Sequence, residues 1–131
     1  MKTISVRQPW AWCLFHGKPV ENRDYMYPWS SYRGLIWIHA SAGCGKQEYA
    51  DAVDWIRHGV RPDFYVPTLA ELPRGCVVGT AFLDRVVTRY ESPWFCGKYG
   101  LVFKDAQELT VPLPAKGMLG LWEWEEANGT R

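Results

Sequence analysis

The chain has no C-x-x-C pair among its four cysteines, Cys13, Cys44, Cys76 and Cys96. That argues against a structural zinc site, which needs closely spaced thiolates. It has no apolar run of membrane-spanning length and no leader-like opening segment. A cytoplasmic protein with reduced thiols and no membrane partner is therefore expected. Surplus charge is also missing. Lys and Arg number 15 against 14 Asp and Glu, a formal net charge of +1. Tight non-specific duplex binding, which draws its affinity from neutralising phosphates, is thereby disfavoured. Repeats, low-complexity tracts and long linkers are absent too, so one domain over residues 1–131 is expected. Gly45-Lys46 precedes a helical window, yet the first glycine of a phosphate loop would fall on Ala40 and its Ser/Thr on Gln47. A P-loop is excluded on that pattern. No metal or cofactor is expected.

Aromatic residues are abundant, at 15%, with 8 Trp. Most should fill a small core, but Trp and Tyr also offer faces on which bases stack. The charges are unevenly spread. Residues 1–61 hold eight basic and five acidic side chains, and residues 62–131 hold seven and nine. A locally positive cleft in the first half is compatible with overall neutrality.

Thr3–Arg7 alternates, with Ile4 and Val6 on one face and Ser5 and Arg7 on the other, as a half-buried strand does. Pro9 suits the first turn of a short helix over Pro9–His16, and Gly17 suits its left-handed end. Val20–Tyr25 reads as extended, which puts Glu21 and Arg23 on one side. Tyr27–Tyr32 reads as an aromatic loop. Leu35–Ala40 is apolar on both faces and should be a central strand. Lys46–Arg57 is an amphipathic helix with Tyr49, Val53 and Ile56 inward. Gly75–Val87 is a long β run, with Gly79 marking a bulge or bend. Tyr99–Lys104, Gln107–Pro114 and Leu121–Glu125 complete a set of five to seven strands. The fold class is β-rich α+β, a small mixed β-barrel with flanking helices.

Gly17-Lys18-x-x-Glu21-x-Arg23 gathers two cations and an anion at a helix end. As a solvated cluster it would contribute little. As the floor of a cleft it could face an anionic ligand. Arg7 carries a rigid fork of donors for phosphate or a base edge, Ser5 shares its face, and Gln8 lies where a helix begins. His39 sits in an apolar strand, where a lone His is usually a satisfied core residue. Ser41 shares its strand, and two residues of one strand aim in parallel, which argues against a Ser41–His39 nucleophile. Trp94-Phe95-Cys96-Gly97-Lys98-Tyr99-Gly100 is a loop in which Trp94 is either a stacking platform or a plug for the barrel end.

The Gly17–Arg23 motif, Arg33-Gly34-Leu35-Ile36-Trp37-Ile38-His39-Ala40-Ser41, the Trp94–Gly100 loop and Gly117-Met118-Leu119-Gly120-Leu121-Trp122 follow in order. On these the chain resembles the ASCH domains of the PUA-like superfamily over nearly its whole length. The resemblance implies a PUA-like barrel with the Lys18, Glu21 and Arg23 motif at its cleft. It implies binding of single-stranded RNA or DNA, or of a nucleoside, including a modified base, with Ser5, Arg7, Gln8, Lys18, Glu21, Arg23, Trp94 and Tyr99 as contact candidates. Some ASCH proteins instead deacetylate N(4)-acetylcytidine or cleave RNA. Lys18 matches the lysine of that amidohydrolase pattern, but the threonine nucleophile three residues on is Glu21 here. An enzyme would need Lys18 and Glu21 as its catalytic pair, with Glu21 as general base. Asp84 is a second acid without a motif.

Overall fold

A computed structural model describes residues 1–25 and 31–126, so most of the expected Tyr27–Tyr32 loop lies outside the described residues. The elements run β1 (Lys2–Val6), α1 (Trp10–Leu14), β2 (Val20–Arg23), β3 (Gly34–Ala40), α2 (Lys46–Gly59), β4 (Cys76–Val87), β5 (Tyr99–Pro114) and β6 (Leu121–Glu123). All six strands form one sheet in the order β2-β5-β4-β3-β1-β6. The β1–β3 pair is parallel and the other pairs are antiparallel. The fold is β-rich α+β, and the sheet curls into a half-barrel.

The curl has visible causes. Extra residues opposite a single partner bend a strand and raise its twist. The β4–β5 register slips at Val77/Gly79, Thr80/Phe82 and Leu83/Arg85, and Asp105 in the second slip takes a positive φ of 52°. The β3–β4 register slips beside Gly79 as well, between Ile38 and His39. A Cβ on Gly79 would lie 2.3 Å from the Gln107 carbonyl oxygen and 2.6 Å from the Phe15 ring, so the glycine permits a close approach at the bend. Tyr99–Lys104 and Gln107–Pro114, which read as two strands in the sequence, are one bulged strand.

Ile4, Val6, Ile36, Ile38, Leu83 and Leu101 fill the concave side with Ala11 and Leu14 of α1. Burying each such side chain is worth roughly 1.5–3 kcal/mol. Val53 and Ile56 of α2 join Cys13, Phe64, Val66 and Trp94 in a second cluster. Tyr49, Val53 and Ile56 pack inward as the helical spacing indicates. The expected burial of β3 on both faces holds only from Ile38 onward, because on the other face Leu35 is exposed and Trp37 half-buried. α1 is shorter than its window: after a cis Gln8–Pro9 bond it spans Trp10–Leu14. No helix among the described residues is long and apolar enough to cross a membrane.

Curling brings β2, at one edge of the sheet, beside β1 near the other. β5, β4 and β3 separate β2 from β1, yet Arg23 Nη2 on β2 donates to the Ser5 carbonyl oxygen on β1 at 2.8 Å. α1 enters from that seam, and the motif residues gather there.

Candidate functional site

The end of α1 aims Lys18. Gly17 takes a φ of 110°, which allows the Lys18 N–H to turn back and donate to the Cys13 carbonyl oxygen at 2.9 Å. The chain then extends into β2, where Glu21 pairs with Leu101 and Arg23 with Tyr99 of β5. Lys18 Nζ donates to Glu21 Oε1 at 2.7 Å, and Arg23 Nη2 lies 3.2 Å from Glu21 Oε2. The Lys18 side chain is 2% exposed and that of Glu21 10%. Lys18 Nζ also lies 5.2 Å from the centroid of the Trp10 ring, within cation–π range. A buried ammonium persists only with such partners. Each Glu21 oxygen already faces a cation, Oε1 accepting from Lys18 and Oε2 ion-paired with Arg23, so an attacking water would have to share one of them.

Two cavities meet over this cluster and share Trp10, Glu21, Asn22 and Cys96. The larger, of about 650 Å³, has Lys18 and Glu21 in its floor and Trp10, Trp55, Glu48 and Asp51 in its walls. That volume lies within the ordinary range for small-molecule pockets, about 300–1,000 Å³. Trp10 and Trp55 meet edge to face, with centroids 5.6 Å apart. The smaller, of about 370 Å³, is bordered by Ser5, Arg7, Arg23 and Asp24.

The expected basic cleft is corrected here. The larger cavity sets one lysine against three carboxylates, and the smaller sets Arg7 and Arg23 against Glu21 and Asp24. Arg7 is clamped by Glu48 of α2, with Nε to Oε2 at 2.5 Å and Nη2 to Oε1 at 2.7 Å. That fork holds the Glu48 carboxyl below its ordinary range. Of the basic residues counted along the first half, Lys2, Arg7, Lys18, Arg23 and Arg61 each stand beside an acid in the fold.

Ser5, Arg7, Lys18, Glu21 and Arg23 therefore share one seam. Gln8 does not act there. Its side chain is buried, donating through Nε2 to the Pro73 carbonyl oxygen and accepting from the Trp12 N–H of α1. Trp94 is not an open platform either. It is buried, 5.2 Å from Phe64 in an edge-to-face pair within the cluster that α2 joins. Tyr99 is half-buried at the start of β5 and borders neither cavity. Asp84 pairs with Arg85 and Lys104, away from both cavities.

Three contributors were missed by sequence reasoning. Glu48, Asp51, Ala52 and Trp55 follow the i, i+3, i+4, i+7 rule, so α2 carries a second stripe that faces the larger cavity. That stripe was visible in the sequence beside the apolar one. Cys96, from the loop before β5, is an exposed free thiol on both cavities. His39 meets Ser5, which follows from the parallel β1–β3 register rather than from any spacing.

Among the described residues, no three His, Cys, Asp or Glu side chains group so as to hold a metal ion. Cys13, Cys44 and Cys76 are buried and unpaired. Burial pushes the Cys13 thiol up to about 12, so it stays protonated. No family model matches the chain, and no curated protein matches it.

Proposed function

We propose that the chain is an ASCH-like, PUA-like module that binds a single nucleoside or one unpaired base of a short RNA or DNA strand. The observation that carries this reading is the larger cavity, walled by Trp10 and Trp55 and floored by the buried Lys18–Glu21 pair. Aromatic walls accept the face of any base, and stacking contributes roughly 1–3 kcal/mol per base. Asp51 offers an acceptor to an exocyclic amino group, as on cytosine or adenine, while Glu48 is held by Arg7. Backbone phosphates would lie outside, toward Arg7 and Arg23. Since both arginines are already paired, phosphate attraction is a minor part of the affinity.

A second reading, hydrolysis at Lys18 and Glu21, draws on the same floor, because an acid and an ammonium border a cavity sized for one base. Its difficulty is that both Glu21 oxygens are engaged.

The test is a titration of cytidine, adenosine, N(4)-acetylcytidine and a short single-stranded RNA, followed by tryptophan fluorescence. Trp55→Ala should weaken binding by roughly tenfold or more, as loss of one stacking wall implies. Two phosphate contacts predict only about a sevenfold loss of RNA affinity between 50 and 200 mM salt. No saturable binding, or a Trp55→Ala protein that binds like wild type, would remove the reading. Release of acetate from N(4)-acetylcytidine would replace it with the second.

A further inference from the structure

Ser5 and His39 are register partners on the parallel strands β1 and β3, so their side chains leave the same face of the sheet. Ser5 Oγ lies 3.0 Å from His39 Nδ1, and His39 Nε2 lies 2.8 Å from the Ala115 carbonyl oxygen. A carbonyl only accepts, so Nε2 carries the proton and Nδ1 of the neutral ring is left as an acceptor. The single Ser5 hydroxyl proton then has two acceptors, His39 Nδ1 and the more distant Met118 carbonyl oxygen, and the imidazole is the nearer and the stronger base. The ring is 1% exposed and lies edge to face with Trp122, centroids 5.7 Å apart, which fixes its plane. Ser5 remains accessible. It is half-buried, borders the smaller cavity, and its hydroxyl's contact with the Met118 carbonyl oxygen at 3.3 Å is open to solvent. Arg23, held to the Ser5 carbonyl oxygen at 2.8 Å, brings a guanidinium to the same wall. Gly117 packs its backbone closely against the pair, where a side chain has no room. A Cβ there would lie 2.7 Å from His39 Cε1 and 3.0 Å from Ser5 Oγ.

We propose that Ser5 and His39 form a nucleophile–base pair that hydrolyses a small carboxylic ester admitted through the smaller cavity. Ser5 Oγ bonds to the ester carbonyl carbon while its proton passes to His39 Nδ1. The imidazolium keeps its second N–H on Ala115 O, and the tetrahedral oxyanion faces the Arg23 guanidinium. The carbon–oxygen bond to the alcohol breaks, and the alcohol leaves with the proton from Nδ1. Water then adds to the acyl-serine, giving a proton to Nδ1. The acyl–Oγ bond breaks, the carboxylic acid departs, and Nδ1 returns the proton to Ser5. A neutral carbonyl behind the imidazole stabilises the imidazolium less than a carboxylate would, which favours an activated ester over an amide. The proposal does not rest on what the larger cavity binds.

The test uses p-nitrophenyl acetate with the intact protein, following nitrophenol release and mapping the acetyl group by mass spectrometry. A burst of about one equivalent with the acetyl group on Ser5 is expected, absent in Ser5→Ala. His39→Gln, whose amide can still donate to Ala115 O, should fold and acylate roughly 100-fold or more slowly. Gly117→Ala, whose Cβ would meet His39 Cε1 at 2.7 Å and so must push the ring from Ser5, should also slow acylation. A folded wild type that carries no acetyl group on Ser5 would overturn the proposal. So would a His39→Gln protein, folded by its thermal transition, that acylates Ser5 at the wild-type rate.

Discussion

Two ion clusters meet at the seam, and they differ in geometry, in burial and in net charge. Arg7 and Glu48 make a bidentate pair with bonds of 2.5 and 2.7 Å, yet their side chains are 53% and 36% exposed. Lys18, Glu21 and Arg23 make a looser chain of 2.7 and 3.2 Å contacts, with Lys18 and Glu21 almost fully buried. Bond length alone would rank the first cluster higher. Solvent reverses the order. Water screens an exposed pair down to about 0–1 kcal/mol, whereas removing one partner of a buried pair costs roughly 3–5 kcal/mol, because the other charge is left without water. The exposed pair therefore tethers α2 to the end of β1, and the buried chain holds the cavity floor.

The largest expected effect comes from breaking the buried chain. Glu21→Gln leaves the Lys18 ammonium against a neutral amide, and should lower unfolding free energy in urea by about 3–5 kcal/mol. Arg7→Met should lower it by less than about 1 kcal/mol. Replacing both partners, Lys18→Met with Glu21→Leu, should recover most of the loss, since no buried charge is then orphaned. Arg23 retains its bond to the Ser5 carbonyl oxygen in that variant. Equal losses for Glu21→Gln and Arg7→Met would show that burial does not separate the clusters.

A second comparison sets the rim of the cavities against their floor through two thiols. Cys96 is exposed at the rim, and Cys13 is buried in the cluster behind Lys18, its thiol pushed up to about 12 chiefly by loss of solvent. Iodoacetamide at neutral pH should alkylate Cys96 alone in the folded protein, and Cys13 only on unfolding. In Glu21→Gln, Cys13 should become reactive at lower urea than in wild type, which reports the floor directly. The adduct on Cys96 stands at both cavities and should weaken nucleoside binding by about tenfold, or roughly 1.4 kcal/mol. Rapid alkylation of Cys13 in the native wild type would contradict the packing described.

The two helices, the long β run and the bend at Gly79 were legible because each depends on local periodicity or on one glycine. So was the gathering of Lys18, Glu21 and Arg23, which lie within six residues of one another. What could not be read depends on pairing across the fold. The neutralisation of Arg7 by Glu48 joins the end of β1 to α2, and a half-by-half tally of charge cannot see it. The Ser5–His39 contact depends on a parallel register that no turn specifies. Trp94 and Gln8 show the converse. Both residue types suit ligands, and both are buried in the fold, because a large ring fills a core and an amide closes a helix end. The second stripe of α2 was readable but was masked by the apolar stripe beside it.

The smallest predicted effect is the pH dependence of the exposed pair. Arg7 keeps its charge at any accessible pH, so titration of the pair belongs to Glu48. The Glu48 carboxyl has an ordinary value of 4.5 and is held below it, chiefly by the hydrogen bonds from Arg7. A carboxyl depressed by folding adds stability above its unfolded value and loses that contribution as pH falls through its folded value. The stability difference between wild type and Arg7→Met should therefore be constant from pH 7 down to about 4.5, then shrink toward zero below it. Glu71, Asp84 and Glu123 are also held below their ordinary values, by Thr68, by Arg85 with Lys104, and by the Met1 amine with Lys2. These groups are the same in both proteins and cancel in the difference. Because both side chains stand largely in water, the plateau should stay under about 1 kcal/mol and fall further in 1 M salt. Urea unfolding of both proteins across that range measures it. A difference that grows as the pH falls below 4.5 would mean that Arg7 supports the fold through some contact other than Glu48.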